Sequence, residues 1–540
     1  MTGWLVPEAR RHCLLAGVLG AAMSSGCAKA PEPTPTPVQG LGSLSFPITT
    51  QSDSARQAFV RGTLLLHLFH YGEARESFRV AEAADPGFTM AYWGEAMAWN
   101  YAVWNMQQPD SARAVLAKLA PTAEARHKAA RSEREAAYLD AVEILYGPGP
   151  KPTRDTLYEA AMAKLSAAYP RDDEAKLFHA LSLLGLNQGV RDVPTYLRAA
   201  DISDEVFRRH PDHPGASHYL IHALDDPAHA ARGLEAARAL ARSSPDAGHA
   251  QHMTSHIFLA LGMWNEVVAA NENTMRVMGQ QMAAHGHHHM SACGHGQTWL
   301  TYGYLQLGKL DTAKALLRAC QRQAEADSSS LTENDTDPDA SAIGSAVYVW
   351  SLYVIDTENW SGDDSAWNPG LGQATTAPAA SYHFTQAFAA ARRGDLNACR
   401  EHTARFRLVR TALQEQKPKE NPGPGTEQYL SGLAVLDLEL EGLLALGAGD
   451  ERGLATLRRA TVLEDSMAYA FGPPTVNKPS HELLGEELAR LSRPAEAEQE
   501  FRAALERTPH RVISVRGLNR ALVAQGKPIQ VDSLTALAPR

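Results

Sequence analysis

Cysteine is scarce in this chain, with five residues in 540 and no two close enough to form a CxxC pair. That excludes the cysteine-rich structural zinc types and shows no disulfide framework. A GxSxG elbow, a Walker loop, a GxGxxG turn and a CxxCH haem attachment are also missing, so nothing points to a serine hydrolase, a nucleotide enzyme or a c-type cytochrome. Basic residues are too few for a nucleic-acid partner: 51 Lys and Arg face 61 Asp and Glu, net −10, with no sustained basic patch. Hydrophobic content of 44% with mean hydropathy −0.29 excludes both a disordered chain and a multispan membrane protein. Period-2 runs of β-branched residues are lacking too, which leaves an all-α chain.

The one long apolar run is at the N-terminus. Arg10 and Arg11 precede CLLAGVLGAAM, then Ser24, Ser25, Gly26 and Cys27. The pattern predicts an export signal over residues 1–27. Gly26-Cys27 resembles a bacterial lipobox, whose cysteine is lipidated and becomes the first residue. Ser24 stands where that pattern usually has leucine, so plain secretion is the alternative. AKAPEPTPTPVQG then reads as a Pro/Thr tether, giving a linker at 28–51 and a helical domain at 52–540. The expected location is the cell envelope: the periplasm, on an outer-membrane lipid anchor, with no other membrane contact. Of the later cysteines, Cys320 and Cys399 sit in apolar helical patterns and are expected in the core. Cys293, between His289 and His295, is the better candidate for chemistry.

Histidine is abundant in one place. Between His210 and His295 lie 13 of the 22 histidines, several times an even share. In ASHYLIHALDD, His218 and His222 are four apart; in AGHAQHMTSHIF, His249, His252 and His256 are three and four apart. Such spacings put imidazoles on one helix face, and two such faces side by side suit a metal ion. Imidazole alone fits Zn, Cu or Fe about equally. Asp225 and Asp226 are placed to orient an imidazole or act as a base. HGHHH (285–289) reads as a loop with weak metal affinity.

Helical segments of 12–16 residues, apolar at i, i+3, i+4 and i+7, fill the body in pairs. GEARESFRVAEAADPG, with Ala74, Phe78, Ala81 and Pro86, is matched by AEAEQEFRAALERTP, with Ala497, Phe501, Ala504 and Pro509. This resembles the tetratricopeptide repeat, a roughly 34-residue helical hairpin. HPGASHYLIHALDDPAHA, HAQHMTSHIFLALGMWNE and GPPTVNKPSHELLGEELARL are, beyond that, similar to a bacterial family of exported tetratricopeptide proteins with no assigned activity. The resemblance implies a TPR-type α-solenoid, a right-handed superhelix whose first helices line a concave groove. It also implies that positions 2, 5 and 9 of each repeat face that groove. His218 and His222 then fall at positions 5 and 9, His249, His252 and His256 at 2, 5 and 9, and His295 at 2 of the next unit. The expected site is His218, His222, His252 and His256 around one ion, with His249 and His295 serving a second ion or supporting the first. Glu482 and Glu486, at positions 5 and 9 of their own unit, are candidate acid/base groups. His481-Glu482 does not open an HExxH motif, because Gly485 takes the second histidine's place.

Two functions are consistent with these residues. One is a binding or scaffold protein that holds a peptide or protein segment in the groove. The other is a metal-dependent enzyme, a zinc hydrolase or a copper or iron oxidase. The crowding of histidines on three repeats favours a local site.

Overall fold

The computed structural model describes residues 35–187, 190–284, 286, 290–327, 340–417 and 424–529. The export signal, Cys27, the first part of the tether, and nearly all of HGHHH lie outside the described residues. Among the described residues are 23 α-helices, nearly all packed on the next in sequence. This is an all-α solenoid of tetratricopeptide-type helical hairpins. The only strands among the described residues are two short antiparallel pairs, Thr36–Val38 with Gly42–Leu44 and Asn100–Tyr101 with Met106–Gln107. Pairs of two or three residues are too short to leave a period-2 signal.

Composition alone assigned 28–51 to a tether, but the folded body begins at Pro35. Leu41, Leu44 and Phe46 bury their side chains in the core, and Pro37 is tolerated because its strand is an edge. The hairpin fastens two helix starts that matter below. Ser43 N–H donates to Asp212 O (3.1 Å), and Asp246 N–H donates to Gly40 O (3.3 Å).

The repeat signature is visible as packing. Ala74, Phe78 and Ala81 are buried, as are Ala497, Phe501 and Ala504. A methyl group on Gly94 would lie 2.3 Å from the Phe78 ring, and one on Gly517 2.3 Å from the Phe501 ring. Each phenylalanine thus fills the space that a glycine on the facing helix leaves open. Phe501→Ala is expected to cost about 3–5 kcal/mol, read as a lowered urea midpoint. A loss of under about 1 kcal/mol would mean that the C-terminal pair is not packed this way.

Cys293 and Cys320 are disulfide-bonded, which corrects the reading of Cys293 as a candidate for chemistry; Cys320 is buried in the core as expected, and Cys399 is free and buried. The reason is tertiary. Helices His295–Gln306 and Leu310–Ala326 form an antiparallel hairpin, and this brings the residues to a Cα separation of 4.8 Å across 27 positions of sequence. Closing a loop of that length restricts the unfolded chain by roughly 3 kcal/mol. Cys320→Ser is expected to lose about that much stability, and reductant is then expected to have no further effect on the variant.

Candidate metal centre

Three helices carry the six histidines. Pro214–Leu224 begins with a proline, whose fixed φ suits the first turn, and presents His218 and His222 one turn apart. Gly248–Ala260 presents His249, His252 and His256, and His295 opens His295–Gln306. Two triads result: His218, His222 and His249, then His252, His256 and His295, each with one donor atom per residue and all donors within 4.8 Å of one another. The expected four-nitrogen set is therefore divided. Each triad takes positions 5 and 9 of one repeat and position 2 of the next, so the second is the first moved along by one repeat. The triads adjoin, with ring centroids 6.2 Å apart for His222 and His256 and 6.5 Å for His249 and His252.

Acceptors on Nδ1 aim the rings. His218 Nδ1 lies 2.7 Å from the His67 carbonyl oxygen, which can only accept, so that nitrogen carries the proton and Nε2 is bare. His252 Nδ1 meets Asn271 Oδ1 at 2.8 Å, and Asn271 Nδ2 donates to Val267 O at 2.8 Å, which fixes the amide's orientation. His256 Nδ1 meets Asp225 Oδ2 at 2.6 Å. The Nε2 atoms then face each other, 3.1 Å apart for His218 and His222 and 3.2 Å for His252 and His256. His249 Nε2 is buried with no hydrogen-bond partner. An acceptor behind the imidazole, as at His218, His252 and His256, with the other nitrogen facing its neighbours is the arrangement metal-binding histidines use.

Burial, reinforced by neighbouring imidazoles, pushes His218, His222, His249, His252 and His256 well below the ordinary histidine value. The rings are therefore neutral at neutral pH, as ligands must be. Asp225 is pushed up to about 7 by burial and the nearby Asp226, against the pull of Arg191. Asp226 itself is held by Arg191 Nη2 at 2.6 Å. Asp225→Ala is expected to weaken metal binding about 10–100-fold in competition with a chelator, while Asp226→Ala leaves it within a few-fold.

Aromatic side chains floor both triads, and the sequence did not single them out. Phe69 packs on His218, His222 and His249, with centroids 4.3, 5.6 and 5.7 Å away. Trp299 packs on His252, His256 and His295 at 4.9, 4.4 and 5.5 Å. Phe69 ends helix Asp53–His67 in the left-handed region, at φ 59°. The same helix-ending turn elsewhere uses Gly262, Gly308 and Gly394, at φ 66°, 68° and 77°. A side chain there costs roughly 1–2 kcal/mol over glycine, and it places a ring beneath three imidazoles. The available signal was a phenylalanine where the repeat calls for a glycine.

A second cluster was also missed because its members are far apart in sequence. Glu174 accepts from His67 Nε2 at 2.7 Å and from His213 Nε2 at 2.9 Å, and His67 Nδ1 meets the Tyr219 hydroxyl at 2.8 Å. Burial works against ionised Glu174, yet the two imidazoles outweigh it and hold the carboxyl down at about 2. These bonds fix His67, whose carbonyl in turn orients His218, while His213 Nδ1 is buried without a partner.

Glu482 and Glu486 are committed elsewhere. Glu482 is buried against Arg511 Nε (2.9 Å), Lys478 Nζ (2.8 Å) and Ser514 Oγ (2.6 Å), and Glu486 pairs with Lys478 and Arg392. The structure thus places both in ion pairs of their own and not among the six histidines. What does reach the imidazoles from this part of the chain is the FGPP turn: Phe471 lies 5.4 Å from the His256 ring. Gly472, at φ +94°, lets the turn lie on Trp299, where a methyl group would come within 2.8 Å of the indole.

No protein-family model and no curated protein sequence matches the chain. Among solved structures it is similar to the Cut9–Hcn1 hetero-tetramer of the APC/C, at 12% identity and TM-score 0.33, covering 88% of this chain and 78% of that one. It is similar to yeast Tom70 at 10% identity and TM-score 0.33, covering 87% and 96%. It is also similar to the P58(IPK) TPR domain at 12% identity and TM-score 0.21, covering 87% and 98%. Likenesses this distant carry no functional information.

Proposed function

We propose that this chain is a transition-metal-binding α-solenoid that holds two ions side by side, one in each three-histidine cluster. The observation that carries the reading is the repetition. Two consecutive repeats supply the same three imidazoles, with Nε2 atoms 3.1 and 3.2 Å apart and acceptors behind His218, His252 and His256. A hydrogen-bonded core needs no such duplication, and the buried His249 Nε2, without a hydrogen-bond partner, is available as a ligand atom in the first cluster. The ions are Zn, Cu or Fe by ligand type.

Three protein ligands per ion leave coordination positions open, the feature that separates catalytic from structural zinc sites. That favours a metal-dependent enzyme, a hydrolase or an oxidase, over a scaffold whose metal only stiffens a peptide-binding groove. The Cys293–Cys320 disulfide supports an oxidising compartment, in keeping with export and an anchor at Cys27. Elemental analysis of the purified protein, after loading with Zn, Cu or Fe salts and desalting, is expected to find two equivalents per chain. A protein that retains none of the three overturns the proposal.

A further inference from the structure

The six-imidazole cluster is not sealed. His218, His222, His252 and His256 are buried, but His249 is half-buried and His295 is exposed, so the opening runs along those two residues. Two large aromatic side chains stand beside the cluster with about half their surface in water: Trp104 and Phe471, each 48% exposed. They come from unrelated parts of the chain, Trp104 from the short 3-10 turn Ala102–Trp104 and Phe471 from the FGPP turn. Each packs on a ring of a different triad, Trp104 on His249 at 5.9 Å and Phe471 on His256 at 5.4 Å. Trp104 also meets Phe69, at 5.4 Å, so the floor of the first triad continues outward into an indole face.

A ligand with an aromatic ring would cover these two exposed faces and gain from stacking on them. The charge at the opening is informative too. The rings that pack on Trp104 and Phe471 are imidazole and aromatic ones, and the charge of a loaded site is that of its ions. Any anionic character in the ligand must be met by the ions themselves.

Resting on the two-ion reading, we propose that the site takes a small phenol or catechol. Its ring lies against Trp104 or Phe471, and its oxygen occupies an open position on the ion of the triad beside that residue. On binding, the O–H bond breaks, its electron pair stays on oxygen to form the oxygen–metal bond, and the proton leaves to solvent. No oxidant is needed for this step.

Cobalt(II) is the probe metal, because its visible spectrum responds to each new ligand. The cobalt-loaded protein is titrated with 4-nitrocatechol, which has a ring, and with azide, which has none. Both are expected to shift the spectrum. Trp104→Ala and Phe471→Ala are each expected to weaken 4-nitrocatechol by about three- to tenfold and leave azide within twofold, and Trp104→Phe is expected to restore most of the loss. Both residues are half exposed, and cobalt stoichiometry with circular dichroism verifies that each variant is folded and loaded. Equal 4-nitrocatechol affinity in the wild type and the double alanine variant overturns this proposal alone. Azide binding without any 4-nitrocatechol binding does the same. A protein that takes up no cobalt overturns the two-ion reading and this one with it.

Discussion

Replacing His218 and His222 together by alanine is expected to leave the protein with one equivalent of metal, not zero. Replacing His252 and His256 should do the same, and the quadruple variant should bind none. A single ion held by all four residues predicts the opposite, because either pair removed would then abolish binding. The difference between one equivalent and none is outside the error of elemental analysis. Alanine suits these helices, the best helix former at positions where histidine is mediocre. The first variant does leave the His67 carbonyl without its donor, at about 1–3 kcal/mol, so circular dichroism should accompany the measurement. His249→Ala and His295→Ala, each removing one ligand of three, are expected to weaken one ion and spare the other. Full retention of two equivalents in either double variant would sink the assignment of ligands.

A large loss of stability is expected from Arg511→Met. Arg511 is fully buried and joins four helices at once. Its guanidinium donates to Asp356 (2.6 and 3.1 Å), to Glu482 (2.9 and 3.1 Å) and to the Tyr302 hydroxyl (3.1 Å). These partners lie in helices Ala342–Thr357, Ser480–Arg490 and His295–Gln306, the last of which carries His295 and Trp299. Methionine fills much of the volume but leaves Asp356 without the guanidinium and Glu482 with Lys478 as its one paired cation, and breaking such a set costs about 3–5 kcal/mol. The expected reading is a lowered urea midpoint at pH 7.

The pH dependence has a definite sign. Burial opposes the charge on Glu482, yet Arg511 and Lys478 overcome it and hold the carboxyl down at about 2. A depressed carboxyl stabilises the fold above its unfolded value near 4.5 and loses that contribution as pH falls toward 2. Without Arg511 the native carboxylates take up protons more readily, so the gap between variant and wild type should narrow from pH 7 to pH 4. A gap that stays constant would mean that the lost stability came from packing. Replacing Asp356, Glu482 and Arg511 together by apolar residues should recover most of the loss, since the charges are costly mainly when separated.

Much of this was legible in the chain. Phe78 and Phe501 announced their role through the alanines four before and three after them, because that spacing keeps small residues where two helices cross. The histidine spacings located the centre for the same reason: a helix repeats its face every three to four residues, so His218 and His222 must point together. The grouping of the histidines was not legible, since positions 5 and 9 look alike in every repeat and only the path of the chain brings position 2 of the next repeat to them. Phe69, Trp299, Trp104 and Phe471 are ordinary aromatics by composition and become part of the site only by proximity. Glu482 looked like a groove carboxylate by register, and its commitment to Arg511 depends on a residue 29 positions later.

The sequence by itself therefore determined the helical repeat, the helices that carry the histidines and the face on which those residues lie. All of these follow from periodicities within one or two turns. Only the tertiary structure decided how six histidines divide into two threes, that Cys293 joins Cys320, and that turns from the two ends of the chain flank one centre. Those depend on contacts between residues tens to hundreds of positions apart, which no local spacing encodes.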